Sequence, residues 1–243
     1  VSALLCAALA YADIVDSTKF YHERAVERAN RGDLDLASID LRHAVRLSPD
    51  DPQLRFNLGL VLVNLKRLDQ AERQFQIATQ TGPPHAGALH NLGLLARLGG
   101  RRPSAESFFL EAVESDSLYV DPMLQLGSLL AVQDRYQEAI SWFTRAAKLY
   151  PRVELPRQLL ALASKRRDEY RSGMSAGHMR VRHILTSTRQ QAQEVLNLLE
   201  NGGDFISLAL RYSQDPSSEL GGDMGFFAPG DMMPHMEDAL VAI

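Results

Sequence analysis

The 243-residue sequence holds few residues that could do chemistry in a recognisable pattern. Its seven histidines include no His-Glu-x-x-His spacing and do not cluster with its one cysteine, Cys6. Neither a metal site nor an intramolecular disulfide is expected. Two positions stand out. His183 lies in the alternating run Met179-Arg180-Val181-Arg182-His183-Ile184-Leu185, and Asp215 precedes Pro216 in the turn-rich stretch Ser213–Ser218. Downstream come Gly222-Asp223-Met224-Gly225-Phe226-Phe227 and, among three further methionines, Met232 and Met236. Taken singly, each has a bland reading. A histidine on an alternating strand is a satisfied core residue, an aspartate before proline forms a turn, and methionines fill cores. The basic run Lys165-Arg166-Arg167 is followed by Asp168-Glu169 and reads as a solvated helix end.

The elements that must position these residues follow from the local pattern. Residues 179–185 read as a strand. Thr188 to Leu199 is an amphipathic helix stopped by Asn201-Gly202-Gly203. Asp204 caps a second helix, Phe205 to Tyr212, and Ser213–Ser218 is a connection with a short helix. Met224 to Phe227 is a short strand, and Asp231 with Pro234 begins another helix.

Upstream, the chain aligns on itself at a period of 34, with copies beginning near Thr18, Pro52, Ala86 and Val120. Ala37, Ala71, Ala105 and Ala139 recur, followed by Leu41, Phe75, Phe109 and Phe143, then Ala44, Ala78, Ala112 and Ala146. Ala25, Gly59, Gly93 and Gly127 line up in the first half of each copy. A two-helix unit of this size cannot bury its own apolar face and must stack on its neighbours. The small residues permit close helix approach. The phenylalanines are expected to fill the space between neighbouring units. Pro49, Pro83 and Pro151 close three of the copies.

These copies resemble the tetratricopeptide repeat family over residues 18–151. The resemblance implies an α-helical solenoid of four hairpins whose concave face binds a peptide. Lining residues on the family pattern are Phe56, Leu60, Val63, His90, Leu94 and Leu124, with His90 and Arg97 as solvated rim residues. The face is more apolar than basic, so an extended or helical apolar segment is the expected occupant. Residues 152–171 read as a capping helix, and 172–178, with Gly173, Ser175 and Gly177, as a flexible linker.

Residues 179–243 resemble the parvulin (PpiC-like) prolyl isomerase family. The carriers are Val181-Arg182-His183-Ile184-Leu185, Gly203-Asp204-Phe205, Ala209, Tyr212-Ser213, Asp215-Pro216 and Gly222-Asp223-Met224-Gly225-Phe226-Phe227. The resemblance implies a partial α+β domain that isomerises Xaa-Pro bonds without a cofactor. His183 and Asp215 match its catalytic positions; Met224, Phe227, Met232 and Met236 match its proline pocket. The family's last two strands, with a second histidine, do not follow in this sequence, so the domain is expected to be cut short. The arginine pair of the phosphate-preferring branch is absent after Leu185, so no phosphate preference is expected.

Hydrophobic residues make up 45% of the chain and charged residues 23%, as in folded globular proteins. The net charge of −4 offers no general attraction for nucleic acid. Residues 1–17 begin with the apolar run Val1–Ala10. That run fits the core of a secretory signal, the tail of a membrane anchor, or a buried capping helix. The sequence therefore reads as an exported prolyl isomerase (periplasmic or membrane-anchored), with a cytoplasmic location as the alternative. Its clients would be proline-containing polypeptides, with a peptide or protein partner in the repeat groove. The competing reading is a non-catalytic peptide-binding chaperone or assembly scaffold.

Overall fold

The computed structural model describes residues 2–176, 178–228 and 230–231, with the backbone alone for 2–14 and 174–176. It is a helical solenoid followed by a small strand-containing region. Eight helices come first: α1 (Ser2–Arg31), α2 (Leu34–Leu47), α3 (Pro52–Asn64), α4 (Leu68–Gln80), α5 (Ala86–Leu98), α6 (Arg102–Ser115), α7 (Val120–Val132) and α8 (Tyr136–Leu149). A long helix α9 (Glu154–Ala176) leads to strand β1 (Met179–Arg182). Then follow α10 (Arg189–Glu200), α11 (Phe205–Tyr212), a 3-10 helix (Pro216–Leu220) and strand β2 (Asp223–Phe227). Helices α3, α5 and α7 start at the residues where the 34-residue period begins its copies. Among the described residues, no helix is long and apolar enough to cross a membrane.

The chain divides into two compact units. One holds the residues up to Leu95 with Glu114–Asp116; the other holds Ala96–Val113 and everything from Ser117 on.

In the first unit, Asp51 caps α3 by accepting from the backbone N–H groups of Gln53 and Leu54, and Pro52 occupies the first helical turn, where no donor is lost. Phe75 is fully buried, and a Cβ added to Gly59 would collide with its ring. Gly127 stands to Phe143 in the same way in the second unit. Phe75 and Phe143 therefore fill the space inside their own hairpins, each over its glycine. This corrects the expectation that they pack between neighbouring hairpins. A flat ring laid on a residue without a side chain lets two helices close on a bulky residue with no void.

The first hairpin uses a different device. Buried Asp40 on α2 receives Arg24 Nε and Nη2 at 2.9 and 2.7 Å and Arg28 Nη1 at 2.7 Å, both from α1. Arg24 stands where the later copies have Leu58, Leu92 and Leu126, and its guanidinium supplies the counter-charge that a buried carboxylate requires. The boundary expected between residues 17 and 18 is not a break, because α1 runs through it.

A second 34-residue periodicity lies in the backbone. Gly32, Lys66, Gly100 and Asp134 all have positive φ, from +60° to +88°, at the turn inside each hairpin. Two of the four pay the Cβ penalty of that conformation. Lys66→Gly should raise the unfolding free energy by about 1 kcal/mol, read by urea unfolding; an unchanged midpoint would mean that Lys66 sits there without strain.

Candidate functional site

In the second unit, β1 and β2 pair antiparallel, with Met179 opposite Phe227, Arg180 opposite Phe226, Val181 opposite Gly225 and Arg182 opposite Asp223. Met224 is the extra residue of a β-bulge beside Gly225, whose φ is +93°. Bulges re-aim side chains and are frequent beside active sites. Alternation puts Arg180, Arg182, Asp223 and Phe226 on one face of the ribbon and Val181 and Phe227 on the other. His183 follows in the alternation on the side of Val181.

Three hydrogen bonds, two between backbone groups and one to a serine hydroxyl, bring His183 to Asp215 across 32 residues of sequence. His183 N donates to Gly222 O at 2.9 Å, Gln214 N to Leu185 O at 2.7 Å, and Leu185 N to Ser213 Oγ at 3.1 Å. His183 Nε2 then lies 3.3 Å from Asp215 Oδ1, off the line of a good hydrogen bond. Both side chains are about a quarter to a third exposed, although His183 Nε2 itself is buried against Asp215. Asp215 caps the 3-10 helix and accepts from Ser217 N at 2.8 Å. The nearby Ser217 hydroxyl and this backbone N–H, followed by His183, hold the carboxyl below the ordinary aspartate range. Gly222 is fixed here by geometry: its φ is +77°, and a Cβ would collide with His183 O. Met224 and Phe227 are half-buried on β2. Met232 and Met236 lie outside the described residues.

The face of the ribbon away from His183 is tied to the repeats by charge. Arg180 Nη2 lies 2.7 Å from Asp223 Oδ2 and 2.6 Å from Asp134 Oδ1, in the turn between α7 and α8. The same nitrogen donates to Tyr136 Oη at 3.0 Å, and Asp223 also accepts from Gly225 N at 2.9 Å. Asp223 is 3% exposed. Burial alone would raise its carboxyl; Arg180 and the Gly225 N–H outweigh that and hold it below the ordinary range. From α9, Arg166 donates to Met224 O at 2.7 Å and to Asp223 O at 3.3 Å, and Phe226 packs on Tyr170 and over Gly173.

These contacts correct three sequence-based expectations. Arg166 is not a solvated helix-end residue; it caps carbonyls of β2. Residues 172–176 are not a flexible linker, because α9 continues to Ala176, and Gly173 is there for close approach to Phe226. Arg97 is not a solvated rim residue: it is 11% exposed and 3.5 Å from Glu219 of the 3-10 helix. Nearby, Arg102 pairs with Asp204, the residue capping α11. Sequence reasoning missed Arg97, Arg166, Arg180 and Asp134 because single charges separated by 40 or more residues leave no local pattern.

Among the six groove residues, Phe56, Leu60, Val63 and Leu94 are half-buried. His90 and Leu124 are 8% and 6% exposed and do not offer a surface to a ligand, a correction to the family pattern. Leu124 belongs to the second unit and the other five to the first.

Three overlapping stretches, residues 22–86, 63–120 and 91–154, match the tetratricopeptide repeat family and together cover more than half of the chain. The chain belongs to the tetratricopeptide repeat family. After its repeats this tetratricopeptide protein carries a PPIC-type PPIASE domain, matched over residues 174–243. That domain is 53% identical over 58 residues to foldase protein PrsA of Halalkalibacterium halodurans, covering 24% of this chain and 17% of PrsA. It is 42% identical over 69 residues to chaperone SurA of Burkholderia lata, covering 25% of this chain and 15% of SurA. The match thus spans less than a quarter of each curated relative. The repeats share their fold with MamA from Desulfovibrio magneticus RS-1, at a TM-score of 0.57 and 20% identity, over 65% of this chain and 89% of that one.

Proposed function

We propose that the protein is a peptidyl-prolyl cis–trans isomerase that acts as a foldase, with its repeats holding a polypeptide partner. The observation that carries this reading is the approach of His183 to Asp215 at 3.3 Å, inside the segment matching the PPIC-type domain. Rotation about the Xaa-Pro bond must overcome the amide resonance that makes the peptide planar. The planar amide carries extra negative charge on its oxygen, and twisting removes it. A carboxylate beside that oxygen therefore disfavours the planar form more than the twisted one, which is the differential interaction that catalysis requires. Asp215 is suited to this because Ser217 keeps it ionised. The apolar residues Met224 and Phe227, with Met232 and Met236, would grip the proline ring and exclude the water that otherwise solvates the planar amide. No nucleophile takes part.

The partly accessible apolar side chains of Phe56, Leu60, Val63 and Leu94 support a peptide-binding role for the first unit. On the same side, Val26 and Leu60, with the amides of Asn30, Asn57 and Asn64, line a cavity of about 320 Å³. Apolar walls with amide groups suit an extended peptide, whose backbone needs hydrogen-bond partners. The apolar run Val1–Ala10 supports export, as a signal or an anchor.

The test is exchange between the cis and trans forms of a short Xaa-Pro peptide, followed by NMR. The protein should accelerate exchange at catalytic concentration, and a peptide with alanine for proline should not compete. Exchange at the uncatalysed rate would overturn the reading. The pH dependence carries a sign. Asp215 has a depressed pKa, so its contribution is present above the ordinary aspartate value of 3.8 and is lost only as pH falls through its lower folded value. An acid limb assigned to Asp215 near pH 5 would contradict that.

A further inference from the structure

A site outside the isomerase domain and the groove lies in the first unit. Arg42 and Arg46 of α2, Arg55 of α3 and Arg73 of α4 line one open cavity of about 600 Å³. Its floor is Val45, Leu58 and Leu62, and the amides of Gln70 and Gln74 complete the wall. Arg55, Leu58 and Leu62 stand at i, i+3 and i+7 on α3 and so share one helix face. Phe56, Leu60 and Val63 occupy another, so this cavity is separate from the groove.

Among the described residues the four guanidiniums have no acidic partner. Arg42 donates to Gln70, Arg55 to Pro49 O and Gln74, and Arg46 to Arg42 O and a His43 ring nitrogen. None of the four is in an ion pair among the described residues, although most of the other arginines given contacts there find a carboxylate. The cavity lining contains no Asp or Glu. Four like charges around one cavity repel each other, and an anion placed among them relieves that repulsion.

We propose that this cavity binds an acidic peptide segment, with carboxylates on the arginines and an apolar side chain against the half-buried Val45. Guanidinium pairs with carboxylate through two parallel hydrogen bonds. The apolar floor and the two amides fit a side chain and a backbone. A nucleic acid is disfavoured twice over. The lining holds no aromatic ring on which a base could stack, and the chain as a whole carries −4.

The probe is a fluorescent decapeptide of alternating Glu and Leu, titrated with the full chain by anisotropy, against a Gln-Leu peptide of the same length and against inorganic phosphate as competitor. The Glu peptide should bind at least tenfold more tightly than the Gln peptide, and weaken at least tenfold between 50 and 300 mM salt. Arg46→Gln/Arg73→Gln removes two charges that tie no other helix, so the protein should fold as before, checked by thermal melting, and bind at least tenfold more weakly. Arg145→Gln, outside the cavity, should bind as the parent does. Equal binding of the two peptides, binding unchanged in the double variant, or full displacement by millimolar phosphate would overturn the proposal; the last outcome would leave a small-anion site only.

Discussion

Asp223→Ala is expected to destabilise the second unit by about 3 kcal/mol, the low end for breaking a buried ion pair, because Arg180 keeps Asp134. Arg180 loses its 2.7 Å contact, the Gly225 N–H loses its acceptor, and Tyr136 loses a neighbour at 3.5 Å. The effect should extend beyond the ribbon, because Arg180 also holds Asp134 in the α7–α8 turn. Amide exchange should therefore quicken at residues 179–182 and at 134–136 together. Removing both charges, in Asp223→Ala/Arg180→Met, should restore part of the loss, since the one carboxylate then left without Arg180, that of Asp134, is a third exposed and can be solvated. If the single variant unfolds at the parent's urea midpoint, the network does not hold the ribbon to the repeats.

Gly222→Ala should be nearly as severe and should act directly on the candidate site. The added methyl meets His183 O, and an L-residue at φ +77° adds backbone strain. Together these cost about 2–5 kcal/mol. Relief requires residues 183 and 222 to move apart, which breaks the 2.9 Å link that holds His183 near Asp215. Isomerase activity should fall with stability, and at a temperature where the variant is still folded the rate should remain well below the parent's. Activity equal to the parent's in folded Gly222→Ala would show that this link does not position the histidine.

The contrast between what the sequence made legible and what it did not has a physical basis. The starts of α3, α5 and α7 were readable because stacking imposes the same packing need every 34 residues. The match of Gly59 to Phe75 is one such need seen twice. Helix α11 was readable to the residue because Asp204 caps it and Ser213 ends it. The α9 segment was misread because glycine serves both flexibility and close approach, and only the partner, Phe226, tells them apart. Arg166, Arg97 and Asp134 were misread or missed for a similar reason. An arginine in a helix has the same local signature whether it meets water or a carbonyl 58 residues away. The site pair was legible only through family resemblance. His183 and Asp215 sit in unremarkable local contexts and meet through Gly222, Gln214 and Ser213. Asp223 was visible as part of the same signature, yet its work faces away from the substrate side, toward the repeats.

The central claim is that His183 and Asp215 form the working part of a prolyl isomerase. It is tested most directly by the cis–trans exchange rate of an Xaa-Pro tetrapeptide with the parent, each single alanine variant and His183→Ala/Asp215→Ala. Each protein should first be shown to be folded by its urea midpoint. The expected result is a loss of about 10²-fold or more in catalysed rate for the double variant, the scale of removing a preorganised electrostatic group. The two single losses should not add, because the groups act on one peptide bond. Equal rates for the parent and the folded double variant would contradict the assignment.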